Sequence, residues 1–249
     1  MPPAKQPGRW ILATTVASDA RSNVFCFPYA GSGASFYRGW AVFAPPRIAI
    51  VPVQLPGREE RFTERTFDRM GELIAAAAEH LEPFLAHPYA LLGHSMGAIV
   101  CYELAHALRD RGAPLPVHLF VSGAPAPHLA RTIPTVYDVP EPRFIDEVRG
   151  YGGLNEEVLQ SRELMDLLIP RLRADLAVTG TYEYPGRPPL PFPITAFGGL
   201  SDETVPPDLV GAWGEHTAAA FRCRLFPGGH FFIAESAREI VLEIAAALA

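Results

Sequence analysis

Short hydrophobic runs alternate along the chain with longer amphipathic segments. Several runs are apolar throughout and rich in β-branched or aromatic residues, which is typical of parallel strands covered on both faces. They predict strands at residues 10–16, 24–27, 48–53, 89–92, 117–121, 194–197 and 221–226. Apolar residues spaced three and four apart predict helices at residues 67–86, 96–111 and 236–248. This alternation predicts an α/β fold: a mostly parallel, twisted sheet with helices on both faces.

One region interrupts this alternation. Residues 134–191 contain two helix-like segments, 141–149 and 155–178, and no convincing core strand. We predict that they form a helical lid inserted above one edge of the sheet; an enlarged helical crossover is the alternative. A length of 249 residues suits one large α/β domain. We therefore expect residues 1–249 to form a single domain that carries the lid.

Composition and charge exclude several kinds of chemistry and partner. The net charge of −6 argues against nucleic acid as the main partner, because neutralising phosphates requires a basic surface. The one lysine, Lys5, lies near the N-terminus, which excludes phosphate-loop, Schiff-base and Ser–Lys chemistry. The longest charge-free stretch, residues 112–130, contains prolines and histidines, so we expect no membrane partner.

The cysteines indicate a reducing compartment. Cys26, Cys101 and Cys223 are few and widely spaced, which does not suit a disulfide framework. The apolar patch at residues 10–16 is short and interrupted by threonine, unlike a signal peptide. We expect buried, reduced thiols in a cytoplasmic protein, with no metal and no cofactor.

The run Gly93-His94-Ser95-Met96-Gly97 carries the strongest chemical signal. This Gly-x-Ser-x-Gly pattern follows a predicted strand and opens a predicted helix, which is the context of a serine nucleophile on a sharp turn. Such a strained turn needs neighbours without bulky Cβ groups. Ser95 is therefore the predicted nucleophile, with a structural turn as the alternative. We expect the side chain of His94 to point elsewhere.

A serine nucleophile needs a base in contact with it and a third group that orients the base. In this architecture the chain order is serine, acid, histidine. His230 follows the last predicted strand through a glycine-containing loop and is the predicted base. Asp202 is the first acidic residue after the strand at 194–197 and is the predicted acid; Asp208 is a weaker candidate.

Backbone N–H groups are expected to stabilise the oxyanion that forms during the reaction. The N–H of Met96, directly after the nucleophile, is one predicted donor. A second donor should come from residues 27–33, which follow an early strand. There Gly31 and Gly33 would let the backbone approach a substrate carbonyl closely; a plain turn is the alternative.

Motifs spread over nearly the whole chain carry a resemblance to a known family. They are Phe27-Pro-Tyr-Ala-Gly, Pro56-Gly57-Arg58, Gly93-His-Ser-Met-Gly, Gly199-Leu-Ser-Asp202 and Gly228-Gly-His230-Phe-Phe, with Tyr151-Gly-Gly, Glu156-Glu-Val-Leu and Leu172-Arg-Ala-Asp175 in the predicted lid. Together they resemble type II thioesterases, the stand-alone editing enzymes of polyketide and non-ribosomal peptide assembly lines.

The resemblance implies an α/β-hydrolase fold with a helical lid. It also implies hydrolysis of aberrant acyl groups from the phosphopantetheine arm of acyl or peptidyl carrier proteins. The second oxyanion donor is then the backbone N–H of Ala30, with Tyr29 and Gly31 beside the substrate. Tyr29 stands where many members carry histidine, a change that leaves the backbone role of Ala30 untouched. A carboxylesterase or lipase of the same fold, an idle interaction module and a chain-releasing cyclase are the alternatives.

Arginines are candidates for a docking face, because carrier proteins are usually acidic. They are Arg58, Arg61, Arg65 and Arg69 before the first long helix, and Arg143, Arg149, Arg162, Arg171 and Arg173 in the predicted lid. The alternative is a set of solvated helix faces interleaved with acidic residues. We interpret the lid carboxylates, including Asp175, as surface or capping groups.

Overall fold

Six parallel strands form one sheet at the centre of the protein. The computed structural model describes residues 10–11, 21–132, 135–151 and 156–249. The strands are β1 (Ser22–Phe27), β2 (Ile48–Pro52), β3 (Tyr89–His94), β4 (His118–Ser122), β5 (Ile194–Gly199) and β6 (Phe221–Phe226). Their order is β2-β1-β3-β4-β5-β6, and each neighbouring pair is parallel. The predicted parallel α/β architecture is confirmed.

The register of the strands brings several loops to one edge of the sheet. Phe27 at the end of β1 lies opposite Gly93, and His94 at the end of β3 lies opposite Ser122. Because parallel strands all end at the same edge, the loops after β1, β3, β4, β5 and β6 meet there. Of the strand predicted at residues 10–16, only the first two residues are described; Ile11 forms an isolated bridge to Val53.

Helices lie between and after the strands along the chain. They are α1 (Met70–Leu81), α2 (Met96–Asp110), α3 (Glu141–Tyr151), α4 (Glu156–Gln160), α5 (Arg162–Gly180), α6 (Pro207–Gly211), α7 (Phe232–Glu235) and α8 (Ala237–Ala247). The helix predicted at residues 67–86 is shorter than expected. It continues as a 3-10 helix, Glu82–Phe84, because Pro83 lacks the N–H that an α-helix interior requires.

Helices α3, α4 and α5 lie between β4 and β5, and we call them the insertion. The single helix predicted at residues 155–178 is divided into α4 and α5. The reason is local: the Ser161 hydroxyl accepts a hydrogen bond from the N–H of Leu164 at 3.4 Å and starts a new helix. Predicted lid residues 134 and 152–155 lie outside the described residues. Buried side chains give the insertion a small core of its own: Phe144, Val148, Met165, Ile169 and Leu172.

Alternation along the strands divides the main core between the two faces of the sheet. In β1, Phe25 and Phe27 belong to one buried cluster, whereas Val24 and Cys26 belong to another. Successive side chains of a strand point to opposite faces, so these two clusters lie on opposite sides of the sheet. Continuous apolar runs such as β1 are therefore explained by burial on both faces.

The cysteines are free thiols, and their burial differs. Cys26 and Cys101 are buried as expected, but Cys223 is exposed, so the prediction of a buried thiol at residue 223 is wrong. Its strand, β6, lies at the edge of the sheet, and a face of an edge strand can remain open to solvent. Within the described ranges, no helix has the length and apolar character needed to cross a membrane.

We predict that Gly93→Ala lowers the free energy of unfolding by about 3 kcal/mol, at the upper end for overpacked cores. A Cβ at this position would lie 2.0 Å from the carbonyl oxygen of Gly97, and backbone atoms cannot move aside cheaply. The control is Gly71→Ala in α1, where a Cβ meets nothing within 4 Å. This change should raise stability by up to about 1 kcal/mol. Urea unfolding measures both; equal effects would contradict the packing argument.

Candidate active site

A strained turn between β3 and α2 carries Ser95. The φ of Ser95 is 53° and its ψ is −118°, in a region that residues with a side chain rarely adopt. Flanking glycines make the turn possible: a Cβ on Gly97 would lie 2.5 Å from the carbonyl oxygen of Phe27. The turn is fixed by a hydrogen bond from the N–H of Ser95 to the carbonyl of Ser122 at 2.8 Å. The strand–turn–helix context predicted for the Gly-x-Ser-x-Gly motif is present.

His230 and Asp202 form a hydrogen-bonded pair at the same edge of the sheet. The His230 Nδ1 lies 2.8 Å from Asp202 Oδ2. The second carboxylate oxygen, Oδ1, accepts the N–H groups of Thr204 and Val205, each at 2.9 Å. The Asp202 side chain is fully buried, so these donors replace water around its charge. Engaging Nδ1 in this way leaves Nε2 as the imidazole nitrogen available to other groups.

Ser95 and His230 line one cavity, and Asp202 lies behind the histidine. In the part of the chain that the structure describes, no hydrogen bond joins the Ser95 hydroxyl to the imidazole. Such contacts are often long in ligand-free enzymes and tighten when substrate binds. Ser95, Asp202 and His230 are far apart in the sequence, but the fold brings their three side chains into one cluster.

The residues predicted to hold the oxyanion lie beside Ser95. Ala30 and Met96 both line the cavity. No hydrogen bond among the described residues uses either of their backbone N–H groups. Met96 is the first residue of α2, where N–H groups are unpaired and the helix dipole favours negative charge. Tyr29 also lines the cavity, whereas the N–H of Gly31 is engaged by Asp175 Oδ2 at 2.8 Å.

Two charged residues of this region were misjudged from the sequence. Asp175 is buried, not a surface or capping group, and Arg58 pairs with it in place of facing a partner. The Arg58 Nη2 lies 2.6 Å from Asp175 Oδ1, and Nη1 lies 3.0 Å from Oδ2. The available signal was their position within motifs that carry the family resemblance. Sequence spacing alone does not show that residues so far apart meet.

Three more of the candidate docking arginines donate hydrogen bonds to backbone carbonyls of the protein itself. Arg61 is buried and donates to the carbonyl of Gln54 at 2.8 Å. Arg171 donates to the carbonyl of Gly57 at 2.9 Å, and Arg173 to that of Tyr137 at 2.6 Å. Their guanidinium groups satisfy backbone carbonyls of loops. Arg61 is therefore not available to a partner, whereas Arg171 and Arg173 are partly exposed and remain candidates.

His94 lies in the core beside the candidate base. Its Nδ1 is 2.9 Å from the Ser122 hydroxyl, and its ring centroid is 5.1 Å from that of His230. Burial, and then the neighbouring His230, hold the pKa of His94 well below its ordinary value. The side chain does not line the cavity, as predicted, but its contact with His230 was not foreseen.

The cavity has a volume of about 490 Å³, within the usual range for small-molecule sites. Its walls come from the sheet edge and from the insertion, and most of the lining side chains are apolar. Representative members are Met96, Ile99, Val148, Leu168, Leu172 and Leu176. Such a chamber suits an uncharged, apolar substrate chain next to Ser95.

The parallel sheet, with its serine on the turn after β3, defines the α/β-hydrolase class. The thioesterase-domain family model matches residues 22–248, and the chain belongs to the thioesterase family. Gramicidin S biosynthesis protein GrsT of Aneurinibacillus migulanus is 42% identical over 236 residues, which cover 95% of this chain and 92% of that protein.

Solved structures agree with this family. RedJ, the thioesterase from the prodiginine biosynthetic pathway of Streptomyces coelicolor, superposes with a TM-score of 0.85 at 41% identity, covering 92% of this chain and 86% of RedJ. BorB, a type II thioesterase from the borrelidin biosynthetic cluster, gives a TM-score of 0.87 at 35% identity, covering 96% and 98%. The predicted resemblance to type II thioesterases and the predicted hydrolase class are confirmed.

We predict that acid destabilises the protein in part through His94. The lowered pKa means that the unfolded chain binds a proton below its ordinary pKa of 6.5 while the folded protein does not, so stability falls as the pH drops. In His94→Asn, the loss of unfolding free energy between pH 7.5 and 5 should be smaller by about 2 kcal/mol.

Denaturant unfolding at the two pH values measures this difference. The rings nearest to His94 are those of His230 and Tyr29, and both remain in the variant. His87→Asn, which changes an exposed histidine, is the matched control. An identical pH dependence in wild type and His94→Asn would contradict the prediction.

Proposed function

We propose that the protein edits an assembly line by hydrolysing acyl groups from the phosphopantetheine arm of acyl or peptidyl carrier proteins. The observation that carries this proposal is that Ser95 and His230 line one cavity and that His230 is hydrogen-bonded to Asp202. The names of similar proteins, which point to gramicidin S, prodiginine and borrelidin biosynthesis, support the substrate class. The free thiols support action in the cytoplasm.

The proposed reaction assigns one role to each of Ser95, His230 and Asp202. Ser95 attacks the thioester carbonyl while His230 accepts the hydroxyl proton, and Asp202 stabilises the resulting imidazolium. The N–H groups of Ala30 and Met96 stabilise the tetrahedral oxyanion. The carbon–sulfur bond then breaks, the pantetheine thiol leaves with the proton from His230, and an acyl-enzyme remains.

Water completes the cycle. His230 removes a proton from a water molecule, which attacks the acyl-enzyme, and the proton returns to Ser95 as the free acid leaves. In this proposal residues 1–249 act as one domain, and the insertion acts as a lid that shelters the acyl chain. Tyr29 and Gly31, which line the cavity near Ser95, border the reacting carbonyl. The apolar walls suit acyl chains without charge.

We predict that Ser95→Ala lowers the kcat for acyl-pantetheine hydrolysis by about 10⁶, the scale of a triad serine. Ser22→Ala, at the start of β1, is a matched serine control and should keep wild-type turnover. A thiol-trapping assay measures hydrolysis, and a fluorophosphonate probe should label wild type but not Ser95→Ala. Turnover that survives in Ser95→Ala would disprove the assignment. Faster cleavage of a matched oxygen ester than of the thioester would favour the esterase alternative.

We predict that charge reversal on the insertion weakens carrier docking. Arg143 and Arg162 are exposed, with 69% and 79% of their side-chain surfaces accessible. In Arg143→Glu/Arg162→Glu, kcat/KM for an acyl-carrier substrate should fall about tenfold, because like charges then face an acidic partner. The rate with a free acyl-pantetheine thioester should not change.

Arg222→Glu on β6 is the matched control, because this arginine is equally exposed but lies outside the insertion. Steady-state kinetics with both substrates at two salt concentrations measure the effect. Equal rates for wild type and the double variant with the carrier substrate would contradict docking on the insertion.

A further inference from the structure

A tight turn presents the backbone N–H of Ala30. The carbonyl of Tyr29 accepts a hydrogen bond from the N–H of Ser32 at 3.0 Å, which closes a four-residue β-turn. Gly31 occupies the third position with a φ of 81°, and Ala30 has no positive φ, which is the pattern of a type II turn. Because a trans peptide points its N–H opposite to its carbonyl, the N–H of Ala30 is directed away from the turn.

An ion pair that lines the same cavity holds this turn. Asp175 Oδ2 accepts the N–H of Gly31 at 2.8 Å, and Arg58 Nη1 donates to the carbonyl of Ser32 at 2.8 Å. The same guanidinium donates two hydrogen bonds to the Asp175 carboxylate, and this bidentate contact fixes the rotation of the carboxylate. Only 4% of the Asp175 side chain and 12% of the Arg58 side chain are exposed. Water therefore has little access to the carboxylate and the guanidinium, whereas Gly31 itself is exposed.

The pair also joins three separate parts of the chain. Asp175 lies on α5 of the insertion, Arg58 lies in the segment after β2, and the turn follows β1. Glycine adopts positive and negative φ almost equally, so Gly31 alone does not select this turn conformation. The hydrogen bond from Gly31 to Asp175 is the restraint that selects it.

We propose that Asp175 and Arg58 are positioning residues for the oxyanion site: they hold the turn so that the N–H of Ala30 stays directed at the developing oxyanion. The proposal rests on the proposed function, in which Ser95 is the nucleophile and Ala30 a donor. It further means that the position of α5 is coupled to catalysis, because displacing α5 withdraws the acceptor for Gly31.

The test compares Asp175→Asn and Arg58→Lys with wild type. Asparagine retains one acceptor oxygen, but its amide nitrogen cannot accept the second hydrogen bond from the guanidinium. Lysine cannot form the bidentate pair of hydrogen bonds with Asp175. We expect kcat for an acyl-pantetheine thioester to fall about tenfold to a hundredfold, less than the 10²–10³ lost with a whole oxyanion donor. KM should stay within about twofold, because the interaction acts in the transition state.

A pair of inhibitors separates positioning from general damage. A trifluoromethyl ketone analogue of the substrate forms a tetrahedral adduct at Ser95 with a negative oxygen, whereas the corresponding alcohol binds without that bond. In both variants the inhibition constant of the ketone should rise by the same factor as kcat falls, and that of the alcohol should not change. Unchanged kcat, or parallel losses for ketone and alcohol, would overturn the proposal.

Arg187→Lys is the matched control, because Arg187 pairs with the buried Glu103 at 3.1 Å and with Asp110, and none of these residues bonds to the turn. It should leave kcat and the ketone inhibition constant at wild-type values. Circular dichroism establishes that each variant folds. If Asp175→Asn does not fold, kcat and the ketone inhibition constant of the milder Arg58→Lys variant test the proposal.

Wild-type protein provides a measurement that needs no variant. In protein labelled with ¹⁵N-glycine, the amide of Gly31 should exchange its hydrogen more slowly than the amide of Gly186, because both residues are exposed but only the Gly31 N–H has the Asp175 carboxylate as its acceptor. Equally fast exchange would overturn the proposal. Wild type that does not hydrolyse thioesters would instead refute the proposed function. Ser95-dependent hydrolysis with unchanged Asp175→Asn and Arg58→Lys variants would refute the positioning role alone.

Discussion

The close approach of β3, α2 and the end of β1 is the constraint on which the rest of the site depends. Side chains at residues 93 and 97 would collide with backbone atoms, so only glycines permit the approach. In return, Ser95 occupies a strained conformation that the surrounding packing maintains. The same approach places the first N–H of α2 beside the turn that carries Ala30. This packing condition thus positions Ser95, the candidate nucleophile, and the N–H of Met96, one candidate oxyanion donor.

Partly buried arginines link the insertion to neighbouring loops. The core of the insertion is small, and it borders a cavity, so hydrophobic packing alone gives it limited support. Arg58, Arg171 and Arg173 bridge the insertion to neighbouring loops through carbonyl and carboxylate oxygens. A guanidinium suits this role because it remains charged and offers several donors in a fixed plane. Removing one partner of such a buried pair leaves an uncompensated charge, which is strongly destabilising.

His94 and His230 are neighbours in the site, but their environments differ. His230 shares a hydrogen bond with a buried carboxylate and borders the cavity, which suits a group that gains and loses a proton. His94, 5.1 Å away between ring centroids, is fully buried, and burial keeps it neutral. A neutral His94 adds no positive charge beside His230.

Local sequence patterns were enough to predict the six strands of the sheet and helices α1, α2 and α8, and they placed Ser95, Asp202 and His230 each after the end of a strand. Strand and helix periods are local patterns, and the nucleophile motif together with chain order assigns each residue to the end of a strand. Only the packing of the elements shows which charges pair and which side chains are exposed: Arg58 meets Asp175, and Cys223 faces solvent on an edge strand. Division of the insertion into α4 and α5 also required structure, because helix periodicity continues across Ser161. Pairing between residues more than a hundred positions apart depends on how the elements pack, and no local spacing along the chain encodes it.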